Sequence, residues 1–166
     1  MKFAALVLWL ISSAVCLAEN RGEQRREAEY YVAAYAKHYK VPVEFVRAVV
    51  EQESGWERCP VSKKGAAGLM QLMHTTAIRL NVRNRCDINQ NVSGGVRYLA
   101  WLMTKFHGDL RLVAAAYYVG ENIIERRGLG YSNHDVVQYV ASIRRRFARQ
   151  KEFGGVAGQR ALRRTR

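Results

Sequence analysis

The sequence is poor in proline, in long apolar runs and in acidic residues. It has two prolines among 166 residues, which excludes a collagen-like or proline-rich fibre. Its one long apolar run lies at the N-terminus, so a multi-span membrane protein is excluded as well. Asp and Glu number 14 against 27 Lys and Arg, and the resulting formal net charge of +13 favours a polyanionic partner.

The sequence also lacks the motifs of several enzyme classes. Its four histidines are far apart and show no metal-ligand spacing. The Gly-x-Ser-x-Gly motif of serine hydrolases is absent. The glycine-containing stretch 65–68 has no Gly-Lys-Ser/Thr ending, so it does not predict a phosphate-binding loop. We therefore expect neither a metal ion nor a cofactor.

Residues 1–18 have the composition of a secretory signal peptide. Lys2 precedes an apolar stretch over 4–11, and small residues follow up to Ala18, after which we expect cleavage. The apolar stretch is shorter than the roughly 20 residues of a membrane-spanning helix, although an uncleaved anchor is the alternative. The prediction is an exported protein of the periplasm or cell envelope.

Two cysteines remain after removal of that segment, Cys59 and Cys86. Export favours a disulfide between them, and they allow a single intramolecular pairing. The bond would stabilise the fold by roughly 3 to 4 kcal/mol in the chain-entropy description. Two separate buried thiols are the alternative.

The rest of the chain has the pattern of a mostly α-helical, single-domain protein. Hydrophobic residues make up 49% and charged residues 25%, a balance that can bury one core. No segment shows sustained strand alternation bounded by hairpin turns. Apolar spacings of three and four residues predict helices over 25–39, 42–53, 75–80, 92–106, 110–119 and 135–149.

Residues 148–166 form a basic C-terminal segment that we expect to be a disordered tail. Such a tail is either a solvated end or a segment that binds anionic polymers of the cell envelope. Export separates the protein from most nucleic acid, so a nucleic-acid partner is not expected.

Two acids on the second predicted helix occupy different faces. Glu51 lies four residues after Arg47 on the polar face, where an exposed ion pair explains it. Glu53 lies three and four residues after Val50 and Val49, which places its carboxyl on the apolar face. Desolvation there would raise the pKa of Glu53 toward the range useful to an acid catalyst. A helix-end glutamate turned back to solvent is the alternative.

Several motifs surround and follow this acid in a characteristic order. The chain resembles the catalytic domain of the soluble lytic transglycosylase family over about 41–146, and we place that domain at 41–147 after an N-terminal helical segment at 19–40. The motifs that carry the resemblance are Glu53-Ser54-Gly55-Trp56, Gly68-Leu69-Met70-Gln71, the stretch 91–99, and Ala116-Tyr117 with Gly120.

The resemblance implies a goose-type lysozyme-like fold and a role for Glu53 as the catalytic acid and base. It also implies that Ser54, Gln71, Tyr117 and Tyr139 line a cleft that binds peptidoglycan glycan strands. Tyr118 stands where the family usually has asparagine, and Val119 where it usually has alanine, so Tyr118 replaces an amide at the cleft. We include Tyr118 among the expected substrate-binding residues.

The expected chemistry needs only one carboxylate. An ordinary glycosidase uses a second acid, but Gly55 separates Glu57 from the helix and Asp87 lies beside a cysteine. In a lytic transglycosylase the C6 hydroxyl of N-acetylmuramic acid attacks its own anomeric carbon and leaves a 1,6-anhydro end. Two alternatives stay open, namely a hydrolase on the same fold and a non-catalytic peptidoglycan-binding protein.

Overall fold

The computed structural model describes residues 2–164, with side chains described for 19–128 and 130–152. All of its regular elements are helical, and in the described part of the chain only two isolated bridges join extended backbone. The mostly α prediction is confirmed. The elements are α1 (Lys2–His38), α2 (Val43–Ser54), α3 (His74–Arg79), α4 (Ile88–Lys105), α5 (Leu110–Val119), α6 (Glu121–Arg127), a 3₁₀ turn (Gly128–Gly130) and α7 (His134–Arg164).

The helix α2 lies at the centre of the fold, packed against α1 and α7. Pro42 precedes its first residue, and its apolar face buries Val46, Val49 and Val50 completely. Gly55 ends the helix in the left-handed conformation, with φ of 58°. The predicted second helix is confirmed, and its C-terminal end is the element that carries Glu53.

One helix begins earlier than predicted, and another was not predicted. α4 begins at Ile88 rather than at residue 92, because the Asp87 side chain caps it by accepting a hydrogen bond from the Gln90 amide at 2.8 Å. The short helix α6 was not predicted, since its seven residues bury only Ile124 and give too little periodicity to detect.

The sequence predicts a domain boundary near each end of the chain. The predicted signal peptide, 1–18, lies outside the residues whose side chains are described. Within the described residues, no helix has both the length and the apolar composition of a membrane span. At the other end α7 continues past residue 147 to Arg164, where composition predicted a disordered tail. Arg149 and Gln150 contact Glu51, so packing extends beyond the predicted domain boundary.

The predicted pairing of Glu51 with Arg47 is wrong. Arg47 pairs with Glu29 of α1 at 2.9 Å, and Glu51 pairs with Arg149 of α7 at 2.7 Å. The two charges of α2 therefore join it to different neighbouring helices. Cross-helix partners replace the local i,i+4 pair because α1 and α7 present opposite charges on either side of α2.

A disulfide joins Cys59, in the loop after α2, to Cys86, at the residue before the α4 cap. Their Cα atoms are 4.9 Å apart, and the bond spans 27 residues of sequence. It ties down both ends of the segment that contains the Gly68-Leu69-Met70-Gln71 motif.

Candidate active site

Glu53 lies one residue before the end of α2, on the side that faces α7. The phenol of Tyr139 in α7 donates a short hydrogen bond to Glu53 Oε1. Burial raises the pKa of Glu53 from 4.5 to about 7, and the Tyr139 hydrogen bond partly opposes that rise by favouring the carboxylate. Near neutral pH this carboxyl can therefore both donate and accept a proton.

Two more tyrosines from α5 surround this acid. The Tyr117 hydroxyl donates to the Met70 carbonyl oxygen at 2.7 Å. Burial, together with the charge of Glu53, raises the pKa of Tyr117 well above its usual value. Tyr118 is exposed and stacks on Tyr139, with the ring centroids 4.6 Å apart. The rings of Tyr117, Tyr118 and Tyr139 thus form a partly apolar wall at the site of Glu53. One face of the Tyr118 ring is left in solvent.

Ser54 has its hydroxyl engaged with the backbone. Its Oγ donates to the Val50 carbonyl at 3.1 Å and accepts a hydrogen bond from the Trp56 amide at 3.1 Å. The side chain thus fixes the exit from α2 beside Glu53 and sets the course of the loop that follows.

Gln71 lies in a tight loop, and its side chain also forms hydrogen bonds with the backbone. Its φ is 45°, and its amide nitrogen donates to the carbonyls of Pro60 at 2.8 Å and Gly68 at 3.0 Å. Both amide protons are thereby used to join two loops. The amide oxygen is the group that Gln71 can offer to a ligand.

Asn91, a buried residue of α4, holds this loop in place. Its oxygen accepts from the Met70 amide at 2.8 Å, and its nitrogen donates to the carbonyls of Ala67 at 3.1 Å and Arg85 at 2.8 Å. Gly68, with φ of 82°, lies so close that a Cβ would clash with the Arg85 carbonyl. Sequence analysis did not single out Asn91, although a polar residue among apolar helix positions was the available signal.

A depression of about 290 Å³ lies beside Tyr139 and Tyr118. Gln52 and Ser142 form part of its wall, and the Ser142 hydroxyl donates to the Gln52 side-chain oxygen at 2.6 Å. The prediction missed both residues. Their signals were their positions, since Gln52 precedes Glu53 and Ser142 lies one helical turn from Tyr139.

The other candidate acids lie in different surroundings. Asp87 caps α4, and Glu57 is an exposed residue of the loop after α2. Among the residues whose side chains are described, burial raises the pKa of Glu53, the Tyr139 hydrogen bond opposes that rise, and no second carboxylate contributes. The structure thus brings Glu53, Tyr117, Tyr118 and Tyr139 together, while Ser54 and Gln71 hold the adjoining loops.

Comparisons with known proteins identify the family of this domain. The model of the transglycosylase SLT domain matches residues 30–136. The chain is 32% identical over 118 residues to membrane-bound lytic murein transglycosylase F of Pseudomonas fluorescens (strain Pf0-1), covering 68% of this chain and 24% of that protein. A relative from Alkalilimnicola ehrlichii, membrane-bound lytic murein transglycosylase F 1, is 33% identical over 111 residues, or 60% of this chain and 22% of that protein. The chain spans about a quarter of the length of these relatives.

Solved structures show the same helical fold. The 70 kDa soluble lytic transglycosylase from Escherichia coli superposes with a TM-score of 0.67 and 23% identity, over 75% of this chain and 24% of that one. A complex of the 70-kDa soluble lytic transglycosylase with bulgecin A gives a TM-score of 0.69 and 25% identity, again over 75% and 24%.

Proposed function

The chain belongs to the transglycosylase SLT domain family, and from that premise we propose that it is a peptidoglycan lytic transglycosylase with Glu53 as its catalytic acid and base. The observation that carries the proposal is the state of Glu53 itself. It is a buried carboxyl with a pKa of about 7 that accepts a hydrogen bond from Tyr139. Glycosidic bond cleavage near neutral pH needs an acid of this kind.

The proposed reaction begins with proton transfer from Glu53 to the oxygen that bridges N-acetylmuramic acid and N-acetylglucosamine. The bond between that oxygen and the muramyl anomeric carbon breaks, and the released N-acetylglucosamine keeps the proton as a hydroxyl. The muramyl C6 hydroxyl then forms a bond to the anomeric carbon while the Glu53 carboxylate takes its proton. The products are a 1,6-anhydro-muramyl end and a regenerated acid.

Two features support this reaction over hydrolysis by two acids. Within the described side chains no second carboxylate influences Glu53, whereas retaining and inverting glycosidases require one. The attacking hydroxyl belongs to the substrate, so its effective concentration is high without a base that holds a water molecule. A lysozyme-like hydrolase remains the second candidate, because the same acid could assist attack by water.

We assign the remaining predicted residues to the glycan cleft. Tyr118 offers an exposed aromatic face on which the apolar side of a sugar ring can stack, and Tyr139 supports that face from beneath. Tyr117 and Gln71 hold the adjoining loop through hydrogen bonds to the Met70 and Gly68 carbonyls. Ser54 positions the loop next to the acid.

The proposed substrate places the protein in the cell envelope, in keeping with the predicted signal peptide. Both matched relatives named above are described as membrane-bound murein transglycosylases. We propose that the basic C-terminal segment adds attraction to anionic polymers of the envelope. The expected absence of a metal ion and of a cofactor stays a prediction.

The test is to digest purified sacculi and weigh the soluble products. The proposed reaction releases muropeptides that end in anhydromuramic acid and are lighter by one water than hydrolytic products. Reducing ends present from the first time points would favour the hydrolase. Binding to sacculi without release of fragments would favour a non-catalytic peptidoglycan-binding protein.

A matched pair of variants assigns the acid in the same assay. Glu53→Gln keeps the side-chain size but removes the proton donor, so turnover should fall by roughly 10² to 10⁴-fold while sacculus binding persists. Glu51→Gln, two residues away, removes exposed ion pairs with α7 and should change turnover little. Equal losses in the two variants would contradict the role of Glu53.

A further inference from the structure

A pocket of about 570 Å³ lies between the middle of α1 and the loop that follows α2. We call it the arginine pocket; it is lined by Arg21, Gln24, Arg25, Trp56, Arg58 and Pro60, among others. None of these residues belongs to the site around Glu53. The predicted cleavage after Ala18 leaves the whole lining in the exported chain.

The pocket is rich in positive charge that is not neutralised. Three arginines face one carboxylate, Glu57, in its lining. Arg21 and Arg58 are exposed, and neither forms an ion pair with any side chain in the described part of the chain. Arg25 lies 3.9 Å from Glu29, but that carboxylate is also held by Arg47 at 2.9 Å. An anionic ligand would therefore meet guanidinium groups with vacant donors.

Trp56 gives the pocket a rigid floor. The Arg25 guanidinium lies 4.3 Å from the centroid of its ring, which holds the cation in place. Only 7% of Trp56 is exposed, and its buried indole N–H has no acceptor among the described side chains and backbone. Buried donors of this kind are normally satisfied. The pocket thus combines positive charge with an aromatic ring that holds one of its arginines in place.

The loop from Gly55 to Pro60 connects this pocket to the proposed active site. Gly55 follows Glu53 by two residues, so their Cα atoms lie within roughly 7 Å. Pro60, in the pocket lining, accepts a hydrogen bond from Gln71 at 2.8 Å. The disulfide at Cys59 fixes the same loop to the start of α4. The pocket and the proposed active site therefore border the same loop.

We propose that the arginine pocket binds the carboxylate groups of peptides carried by the glycan strand. This proposal rests on the proposed function, because it takes its ligand from the same substrate. The planar guanidinium groups match the geometry of a carboxylate, and two oxygens can be bound by one arginine. The α1 side of the pocket precedes residue 30, where the match to the family model begins.

The experiment measures binding rather than turnover, in protein that carries Glu53→Gln so that the ligand stays intact. The probe is a soluble glycan fragment with its peptides, compared with the same fragment after amidation of the peptide carboxylates. Amidation should weaken binding about five- to tenfold. In the R21Q/R58Q variant the untreated fragment should bind as weakly as the amidated one, and amidation should cause no further loss.

The matched control is R26Q/R126Q, which removes two exposed arginines outside the pocket and should keep the full response to amidation. An equal response in control and pocket variants, or no response in the parent protein, would overturn the proposal. Polyphosphate that binds through Arg21 and Arg58 while amidation has no effect would identify a phosphate site instead. If R21Q/R58Q does not fold, the comparison of amidated and untreated fragments in the parent protein still tests the proposal.

The binding test of the arginine pocket and the test of the proposed activity can fail independently of each other. If sacculi yield no anhydro products but binding depends on the carboxylates and on Arg21 and Arg58, the pocket stands and the activity does not. If anhydro products form while binding ignores amidation, the activity stands and the pocket assignment is wrong.

Discussion

At the scale of single residues, Glu53 is placed where its negative charge is unfavourable. Burial raises its pKa to about 7, and the hydrogen bond from Tyr139 does not cancel that effect. The unfolded chain, in contrast, ionises this carboxyl at about 4.5. Above neutral pH the folded protein must therefore keep the Glu53 carboxylate in a buried site, although that charge is more stable in water. This lowers the free energy of unfolding, and the loss is tied to the proposed role of Glu53 as an acid.

This cost predicts that Glu53→Gln stabilises the protein at alkaline pH. Below about pH 4.5 the carboxyl is protonated in both states, so the substitution should leave the free energy of unfolding unchanged. From about pH 4.5 to 7 the gain should grow, and above pH 7 it should reach about 1 to 3 kcal/mol. Urea unfolding at pH 4 and pH 8 measures both limits.

The control for this prediction is Glu51→Gln, which removes the ion pairs to Arg149 and Arg146. It should give a small loss of stability at pH 8, of the opposite sign. A gain for Glu53→Gln that is the same at both pH values would show that the buried charge is not its source.

At the scale of elements, α4 determines the shape of the loop beside the acid. Asn91 makes three hydrogen bonds to loop backbone, and Gly95 allows Met70 to lie directly against the helix. The Met70 carbonyl oxygen in turn accepts a hydrogen bond from the Tyr117 hydroxyl. The position of an active-site tyrosine in α5 is thus linked to a polar residue inside α4.

Asn91→Ala should therefore destabilise the protein strongly. The change leaves the Met70 amide without its acceptor and the Arg85 carbonyl without the Asn91 donor, and the Ala67 carbonyl keeps only the Leu72 amide, at a cost of about 2 to 4 kcal/mol. Asn122→Ala, at an exposed position of α6, should stay within about 0.5 kcal/mol of the parent protein. Urea unfolding of both variants provides the comparison, and equal stabilities would contradict the role given to Asn91.

At the scale of the whole molecule, positive charge exceeds negative charge, and part of the excess lies in the C-terminal segment. The net charge is +13, and residues 153–166 add four arginines with no acidic residue. Contacts to Glu51 reach as far as Gln150, so the helical domain includes the first residues of the predicted tail. A truncation intended to test the tail alone should therefore begin after Glu152.

Truncation after Glu152 should reduce binding to intact sacculi at low ionic strength but leave cleavage of a short soluble glycan almost unchanged. The attraction between arginines and envelope anions is screened by salt, so truncated and full-length proteins should bind equally at high salt. Co-sedimentation with sacculi over a salt series measures the difference.

Replacing the four arginines of that segment by glutamine separates charge from length. This variant should match the truncated protein. Unchanged binding at low salt would show that the segment is only a solvated end, and loss of cleavage on the short glycan would show that it belongs to the catalytic fold.

The sequence alone was sufficient for the local features of this protein. Helix α5 was predicted at its observed bounds, Leu110–Val119, because apolar spacing along one helix reports which face is buried. The same reasoning placed Glu53 on the apolar side of α2, next to Val49 and Val50. That position allowed a buried carboxyl, with one turned back to solvent as the alternative, and burial then sets the direction of the pKa shift.

Only the tertiary structure decided which side chains meet. Tyr139 reaches Glu53 across 86 residues of sequence, and Arg47 selects Glu29 on another helix instead of the nearby Glu51. The arginine pocket likewise needs Arg21 and Arg58 from two separate segments. Periodicity describes one helix at a time, whereas these contacts depend on how distant helices dock against each other, which local spacing does not encode.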